Sequence, residues 1–167
     1  VLCSTEVYRQ IHHQWERLDT ALVNVGDYPS SPDFASLVRY GSLLQREHAC
    51  GRMLIYYFNE EGRVIQSEQD FAIQIPIDTL KRCPNIIGVC SANASAKALR
   101  GALRSGFFTH IVARAELVKS LLEKNQRGGP QPQRRLGACF LYIFHKQRRK
   151  IMVTMWKMLF KLTYVTR

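Results

Sequence analysis

The sequence predicts an α/β domain in which a parallel sheet is flanked by helices. The main observation is a pair of strand–helix units that follow each other closely along the chain. The first is the apolar run Ile86–Cys90 with a helical pattern from Ala96 to Arg104, and the second is His110–Ala113 followed by Glu116–Leu122. Short connections between such units are typical of parallel strands with helices packed on them. A length of 167 residues suits one domain of this kind.

The residues before these units predict further helices and strands. Apolar residues recur every three or four positions near the start of the chain, which favours a helix with one apolar face. The predicted elements, in order, are a helix from Ser4 to Asp19 with Ser4 or Thr5 as N-cap, a buried strand over Ala21–Gly26, a loop over Tyr28–Pro32 and a helix over Phe34–Cys50.

A β-hairpin and a short helix are predicted between these two parts. Arg52–Phe58 is rich in aromatic and β-favouring residues, and a turn at Asn59–Gly62 leads to a returning strand over Arg63–Ile65. The short helix covers Ile77–Arg82, with Asp78 as its expected cap and Pro84 after its end.

The net charge of +11 is concentrated at one end of the chain. Residues 1–123 contain 13 Lys and Arg and 13 Asp and Glu, so this part is neutral. The other 11 basic residues lie in residues 124–167, which contain no acidic residue. The overall charge therefore does not indicate that the predicted α/β domain binds nucleic acid.

The five cysteines indicate free thiols rather than a disulfide framework. Their number is odd, none forms a C-x-x-C pair, and Cys90 lies in a predicted strand. Free thiols are typical of a reducing compartment, so we expect a cytoplasmic protein. We expect no membrane segment, because the sequence has neither a signal-peptide pattern nor an apolar run of about 18 residues.

Four stretches within residues 5–123 resemble, in order and at similar spacing, the sugar-binding domain of SorC-type bacterial transcription regulators, which are close in function to the DeoR group. They correspond to an Asp-x-Ala-Leu-Val-x-x-Gly strand, a Gly-containing strand with an aromatic pair and an acidic hairpin, a short helix before a core strand, and an "ALRxG" helix end before another core strand. In this sequence they are Leu18–Gly26, Ala49–Arg63, Ile77–Val89 and Ala102–Val112.

The resemblance implies a Rossmann-like fold, similar to ribose-phosphate isomerases and glucosamine-phosphate deaminases, that binds a phosphorylated sugar as effector without turning it over. It implies a homo-oligomer that contacts DNA only through an N-terminal helix-turn-helix domain, which we expect to lie outside this chain. The first half of the effector domain, with its Gly-Gly-Thr phosphate loop, is also expected to lie outside it. The chain is thus predicted to be the C-terminal part of the effector domain, with no cofactor.

The loop that follows the predicted strand Ile86–Cys90 is the main predicted binding segment. Ser91, Ala92, Asn93 and Ser95 lie between a strand end and a helix start, the place where open α/β sheets bind ligands. Backbone N–H groups at a helix N-terminus attract anions, and hydroxyl or amide side chains can bind a sugar. Ordinary N-capping by Asn93 or Ser95 explains the same residues without a ligand.

Gly26, Asp27, Gly51 and Arg52 complete the predicted site. Gly26 and Asp27 end the first strand, and Gly51 and Arg52 begin a strand that relatives use for binding. Many relatives carry an acidic residue where Arg52 stands, whereas an arginine could hold a phosphate or carboxylate through its planar fork. The alternative is that Arg52 is a solvated charge at a strand start.

Lys97 and Arg114 also depart from the family pattern. Relatives typically have a lysine where Ser95 stands and an aspartate where Arg114 stands, so Lys97 is interpreted as a solvated residue. Together with Arg52, these departures suggest a different and more anionic effector.

We predict no catalytic and no metal-binding residues. His12 and His13 point to different helix faces and lack zinc ligands at the usual spacing. His48 and Cys50 lack a group that would orient them as a nucleophile–base pair. The rival hypothesis is a sugar-phosphate isomerase or deaminase, for which Asp27 is the one candidate base among the strand-end positions. A third hypothesis is an inactive fragment, because half of the binding site is expected to lie outside this chain.

The domain is predicted to span residues 1–124, followed by a Gly/Pro-rich basic linker over residues 125–136 and a basic, apolar tail over residues 137–167. The tail can place Ile151, Met155 and Met158 on one helical face. Its open interpretations are a non-native extension, a contact with a partner or DNA through Lys146–Lys150, and contact with a membrane surface.

Overall fold

The computed structural model describes residues 4–28, 34–126, 139–144 and 150–155. Its helices are α1 (Glu6–Glu16), α2 (Phe34–Tyr40), α3 (Leu43–Arg46), α4 (Ile77–Arg82), α5 (Ala96–Ser105) and α6 (Ala115–Gln126). Its strands are β1 (Thr20–Asp27), β2 (Ala49–Met53), β3 (Tyr56–Asn59), β4 (Val64–Ile65), β5 (Asn85–Cys90), β6 (His110–Arg114), β7 (Cys139–Phe144) and β8 (Lys150–Met155).

The described strands form one mixed sheet in the order β4-β3-β2-β1-β5-β6-β7-β8. β1, β5, β6 and β7 are parallel neighbours, because each is reached by a crossover that includes a helix or a long connection. β2, β3 and β4 continue the sheet as antiparallel strands, and β8 returns antiparallel to β7. The predicted α/β class, with a parallel sheet, flanking helices and a hairpin, is confirmed.

One face of the sheet, here called the helix face, is covered by α5 and α6. α5 packs on β1, β2 and β3, and it comes close to them because two glycines provide room. A methyl group on Gly51 would lie 2.5 Å from ring carbons of Phe58, and one on Gly101 would lie 2.5 Å from the carbonyl oxygen of Asn59. Ala98 and Leu99 of α5 are fully buried at this contact. Small residues therefore set the spacing between helix and sheet.

The opposite face of the sheet, here called the open face, is covered at only one end by described residues. There, Tyr40 and Leu44 pack on Tyr57 and Ile65. Further along, Leu22 of β1 keeps 72% of its surface exposed. The prediction of a buried first strand is therefore correct for Val23, Val25 and Gly26 but not for Leu22 and Asn24, which lie on the open face.

A buried ion pair fastens α2 to the segment that follows β4. The Arg39 guanidinium donates two hydrogen bonds of 2.8 Å to the carboxylate of Asp70. Tyr40 donates its hydroxyl hydrogen to the same carboxylate at 3.0 Å, and the Ala72 amide donates to it at 3.0 Å. Arg39 also donates to the carbonyl of Ile55 at 3.3 Å. The hydrogen bond from Arg39 lowers the pKa of Asp70, so this carboxyl is ionised at neutral pH.

The predicted helix over Phe34–Cys50 is wrong in its second half. The helix α2 ends at Tyr40, where Gly41 adopts a left-handed φ of +53°, and α3 then runs only to Arg46. Ala49 and Cys50 already belong to β2. Glycine accepts the left-handed conformation without a steric penalty, which allows the chain to turn at this point.

The predicted single strand over Arg52–Phe58 is instead a tight hairpin. β2 ends at Met53 and β3 begins at Tyr56, and these two residues are register partners. Leu54 takes the turn with a φ of +53°, a conformation that non-glycine residues rarely adopt. No glycine, proline or asparagine lies between Met53 and Tyr56, so no typical turn residue marks this hairpin in the sequence. The predicted hairpin with its turn at Asn59–Gly62 is confirmed, because β3 pairs antiparallel with β4 and the amide of Gly62 donates to the carbonyl of Asn59 at 3.0 Å.

Two further predictions differ from the structure. Asp78 does not cap α4, because Pro76 occupies the N-cap position and Asp78 lies in the first turn. The expected helical tail is wrong at Ile151–Met155, which form part of β8, while Met158 lies outside the described residues. A run of large apolar and β-branched residues suits a strand as well as a helix. The boundaries proposed for the domain, linker and tail stay predictions.

Candidate functional site

The candidate site lies at the carboxyl ends of β1 and β5, where β2 runs beside β1. Gly26 and Arg52 are register partners, and the amide of Ser91 continues the β1–β5 pairing by donating to the carbonyl of Val25 at 2.8 Å. A methyl group on Gly26 would lie 3.7 Å from both Arg52 Nε and Ser91 Oγ. The structure therefore brings Gly26, Arg52 and Ser91 together on the open face of the sheet.

Arg52 is a half-buried cation at this point. Among the described residues it makes no hydrogen bond or ion pair, in contrast to the paired Arg39. Partial burial of a guanidinium without a partner is unfavourable, since it removes water without supplying replacement acceptors. An anionic group held against Arg52 would provide those acceptors.

Asp27 and Ser95 have a different role in the structure, because they hold the loop to the strand end. The amide of Ser95 donates to Asp27 Oδ1 at 2.8 Å. The Ser95 hydroxyl oxygen accepts from the amide of Ala98 at 3.2 Å, so Ser95 is the N-cap of α5. Of the two capping residues considered from the sequence, Ser95 is the one that caps. Asp27 lies on the opposite side of β1 from Gly26, since neighbouring strand residues alternate between faces.

Ala92 and Asn93 form the exposed tip of the loop. The loop turns back on itself through a hydrogen bond of 3.1 Å from the amide of Ala94 to the carbonyl of Ser91. The carbonyl of Ala92 accepts a hydrogen bond from Arg114, and the Asn93 side chain has no partner among the described residues. Asn93 therefore presents its amide group to solvent beside the site.

Gly51 lies on the helix face, away from Arg52. Its Cα hydrogen faces Phe58 and Ala98, whose side chains would lie 2.5 Å and 3.1 Å from an added methyl group. The structure gives Gly51 a packing role beneath α5, although it is the immediate neighbour of Arg52 in the sequence.

Arg114 lies beside the candidate site, although it was noted from the sequence only as a departure from the family pattern and not among the predicted binding residues. It is the last residue of β6, and its guanidinium reaches the loop at Ala92. The signal was present in the sequence, because Arg114 follows the apolar run of a predicted core strand, as Ser91 does in the preceding unit. The rule that parallel strands bind ligands at their carboxyl ends applies equally to both strands.

Cys50, which precedes Gly51 in β2, has a protonated thiol. Cys50 is buried and its thiol donates to the carbonyl of Lys97 at 3.6 Å. Burial, with smaller contributions from Glu60 and Asp27, raises the pKa of Cys50 to about 12. The thiolate required of a nucleophile is therefore disfavoured at neutral pH.

Within residues 4–28, 34–126, 139–144 and 150–155, no group of three or more His, Cys, Asp and Glu side chains is placed to hold a metal ion. In the same residues, no helix combines the length and the hydropathy that a membrane span needs.

Residues 1–123 match a family model described as "Putative sugar-binding domain". Comparison with curated proteins finds no significant match.

Solved structures with a similar fold are transcription regulators. A transcriptional regulator from Streptococcus pneumoniae TIGR4 has 19% identity and a TM-score of 0.63, over 74% of this chain and 49% of that chain. The full-length sorbitol operon regulator SorC from Klebsiella pneumoniae has 23% identity and a TM-score of 0.60, over 72% of this chain and 40% of that one. A DeoR family transcriptional regulator from Listeria monocytogenes has 18% identity and a TM-score of 0.60, over 72% and 51%. This chain thus spans about half or less of the length of these relatives.

Proposed function

The chain belongs to the family of sugar-binding domains, as its resemblance predicted, and on that premise we propose that it binds the effector of a sugar-responsive transcription regulator. The effector is a phosphorylated sugar, held on the open face at the carboxyl ends of β1 and β5. The observation that carries this proposal is the half-buried, unpaired Arg52 beside Gly26 and Ser91.

Each of these groups has a chemical task. Arg52 offers a planar fork of N–H donors, which matches the oxygen geometry of a phosphate. Gly26 has no side chain, which allows the Arg52 side chain and the Ser91 hydroxyl to lie close together above β1. The Ser91 hydroxyl and the Asn93 amide can donate to and accept from sugar hydroxyls. Asp27 and Ser95 support the site from behind, by fixing the loop relative to β1.

Effector binding controls DNA binding at a distance in this proposal. The DNA contact is made by a helix-turn-helix domain in another part of the regulator, which acts in the cytoplasm as a homo-oligomer. The effector changes the arrangement of the subunits only if it binds two conformations with different affinity. The site suits such a role because it joins three strands and the loop that begins α5.

We propose that the domain does not catalyse a reaction on its effector. An isomerase or deaminase needs a base within reach of the sugar. Asp27 points to the helix face and already accepts a hydrogen bond from the Ser95 amide, and the Cys50 thiol is protonated. Release of product from a sugar phosphate by the purified chain, followed over hours, would refute this part of the proposal.

The binding proposal is tested by isothermal titration of the purified chain with glucose 6-phosphate, fructose 1,6-bisphosphate and 6-phosphogluconate. Ser91→Ala and Asn93→Ala are each expected to weaken binding about tenfold, the usual cost of a lost hydrogen bond to a ligand. Ser42→Ala is the matched control, because the Ser42 hydroxyl is exposed and makes no cap hydrogen bond. Unchanged affinity in both loop variants would disprove the placement of the site.

A further inference from the structure

We propose that Arg114 determines effector specificity, by favouring sugars that carry a second anionic group in addition to their phosphate. This inference rests on the proposed function, because it concerns the same site. The position of Arg114 in the sheet, and not only its charge, supports this specificity.

The sheet register places Arg114 level with the other site residues. Val89 of β5 pairs with Val112 of β6, so Arg114 lies two residues beyond that pair, at the level of Ser91. Ala113 is buried on the helix face, whereas Arg114 is exposed on the opposite side. Four neighbouring strands therefore present one row of residues on the open face, in the order Arg52, Gly26, Ser91 and Arg114.

The row has a cation at each end and small residues between them. Adjacent strands lie about 4.8 Å apart, so the Cα atoms of Arg52 and Arg114 are separated by roughly 14 Å across three strand spacings. Gly26 and Ser91 contribute no bulky side chain to the row. The Arg52 side chain lies over Gly26, because its Nε would be 3.7 Å from a methyl group there, so the charged end of Arg52 is closer to Arg114 than the Cα separation indicates.

Arg114 reaches the loop beside this row and retains unused donors. One of its N–H groups donates to the carbonyl of Ala92, at the tip of the loop. A guanidinium has five N–H donors, so others remain for a ligand. Within the described residues, Arg114 forms no ion pair with an acidic side chain, and Asp27 is turned toward Ser95 on the other face.

The chemical consequence is a preference based on ligand charge. A phosphate bound to Arg52 lies on the same row as Arg114, so another group of the same ligand can reach Arg114. A carboxylate or a second phosphate at the far end of the ligand would then form charge-assisted hydrogen bonds with Arg114, which are stronger than those of a neutral hydroxyl. We expect this second contact to increase the affinity for the ligand about tenfold or more.

The experiment measures the dissociation constants of the full chain for three probes: glucose 6-phosphate, fructose 1,6-bisphosphate and 6-phosphogluconate. The last two separate a second phosphate from a carboxylate. Variants are Arg114→Ala, Arg114→Lys and the control Arg82→Ala, which removes an exposed arginine just before β5, at the amino end of the parallel strands. Thermal unfolding of each variant shows that it is folded.

Wild type should bind at least one doubly anionic probe about tenfold more tightly than glucose 6-phosphate. Arg114→Ala should abolish this preference and change the affinity for glucose 6-phosphate by less than about twofold, while Arg114→Lys keeps part of the preference and Arg82→Ala keeps all of it. Binding of glucose 6-phosphate with no preference in wild type, or an equal preference in Arg114→Ala, overturns the role of Arg114 alone. Absence of binding for every probe overturns the proposed function as well.

Discussion

Arg39 and Arg52 lie on the same side of the sheet and are both at least partly shielded from solvent, but within the described residues only Arg39 is paired with a carboxylate. Arg39 is paired through two hydrogen bonds with Asp70, and its side chain retains only 7% of its exposure. Arg52 is half-buried beside Gly26 and has no described partner. A cation paired inside the protein makes the fold depend on its partner, whereas an unpaired one is available for a ligand.

Removal of the partner of Arg39 should have the largest effect on stability. Asp70→Ala leaves a buried guanidinium without its carboxylate, and we expect a loss of about 3 kcal/mol in the free energy of unfolding. Urea denaturation followed by circular dichroism measures this loss. Asp78→Ala is the matched control, since its carboxylate is exposed and pairs only with Lys81 on the same helix. A similar small change in both variants would contradict the structural role of the pair.

Acidification provides a second check on the same pair. The folded state lowers the pKa of Asp70 from its ordinary value of 3.8, mainly through the hydrogen bond from Arg39. The stability that it contributes is therefore complete above that ordinary value and is lost as the pH falls through the lower folded value. The difference between wild type and Asp70→Ala should shrink in this acidic range and stay constant at neutral pH.

A smaller loss of stability is expected when the spacing between α5 and the sheet is disturbed. Gly51→Ala places a methyl group 2.5 Å from the Phe58 ring, so helix or ring must move. Overpacking of this kind costs about 1–3 kcal/mol. The change is measured as the shift of the thermal unfolding midpoint. Unaltered stability would show that the contact between α5 and β2 is looser than the structure indicates.

The smallest effect on stability, with a clear effect on binding, is expected for Gly26→Ala. The nearest side-chain atoms are 3.7 Å from the new methyl group, which is an ordinary contact distance, so the fold should be unaffected. The methyl group nevertheless occupies the space between Arg52 and Ser91, and titration should show a weaker affinity for phosphorylated sugars. Gly51→Ala and Gly26→Ala thus separate a glycine needed for packing from one needed for binding.

Much of the fold could be predicted from local patterns in the sequence. The strand–helix units around Ile86–Cys90 and His110–Ala113 were clear because their apolar runs and polar connections are short-range signals. The turn at Leu54 was missed because both strands of that hairpin are apolar and no typical turn residue lies between them. The pair of Arg39 and Asp70 was missed because 31 residues separate its members.

The α/β class, the order of most elements and the loop at residues 91–95 as a candidate binding segment follow from local sequence patterns. Which of the neighbouring residues share a face depends on the folded sheet. Asp27 and Gly51 turn to the helix face, while Gly26 and Arg52 turn to the open face. Gly26 and Asp27 are nevertheless neighbours in the chain, as are Gly51 and Arg52. The physical reason is that side chains alternate along a strand, and the face that each one occupies depends on how the strands pair and where the helices pack.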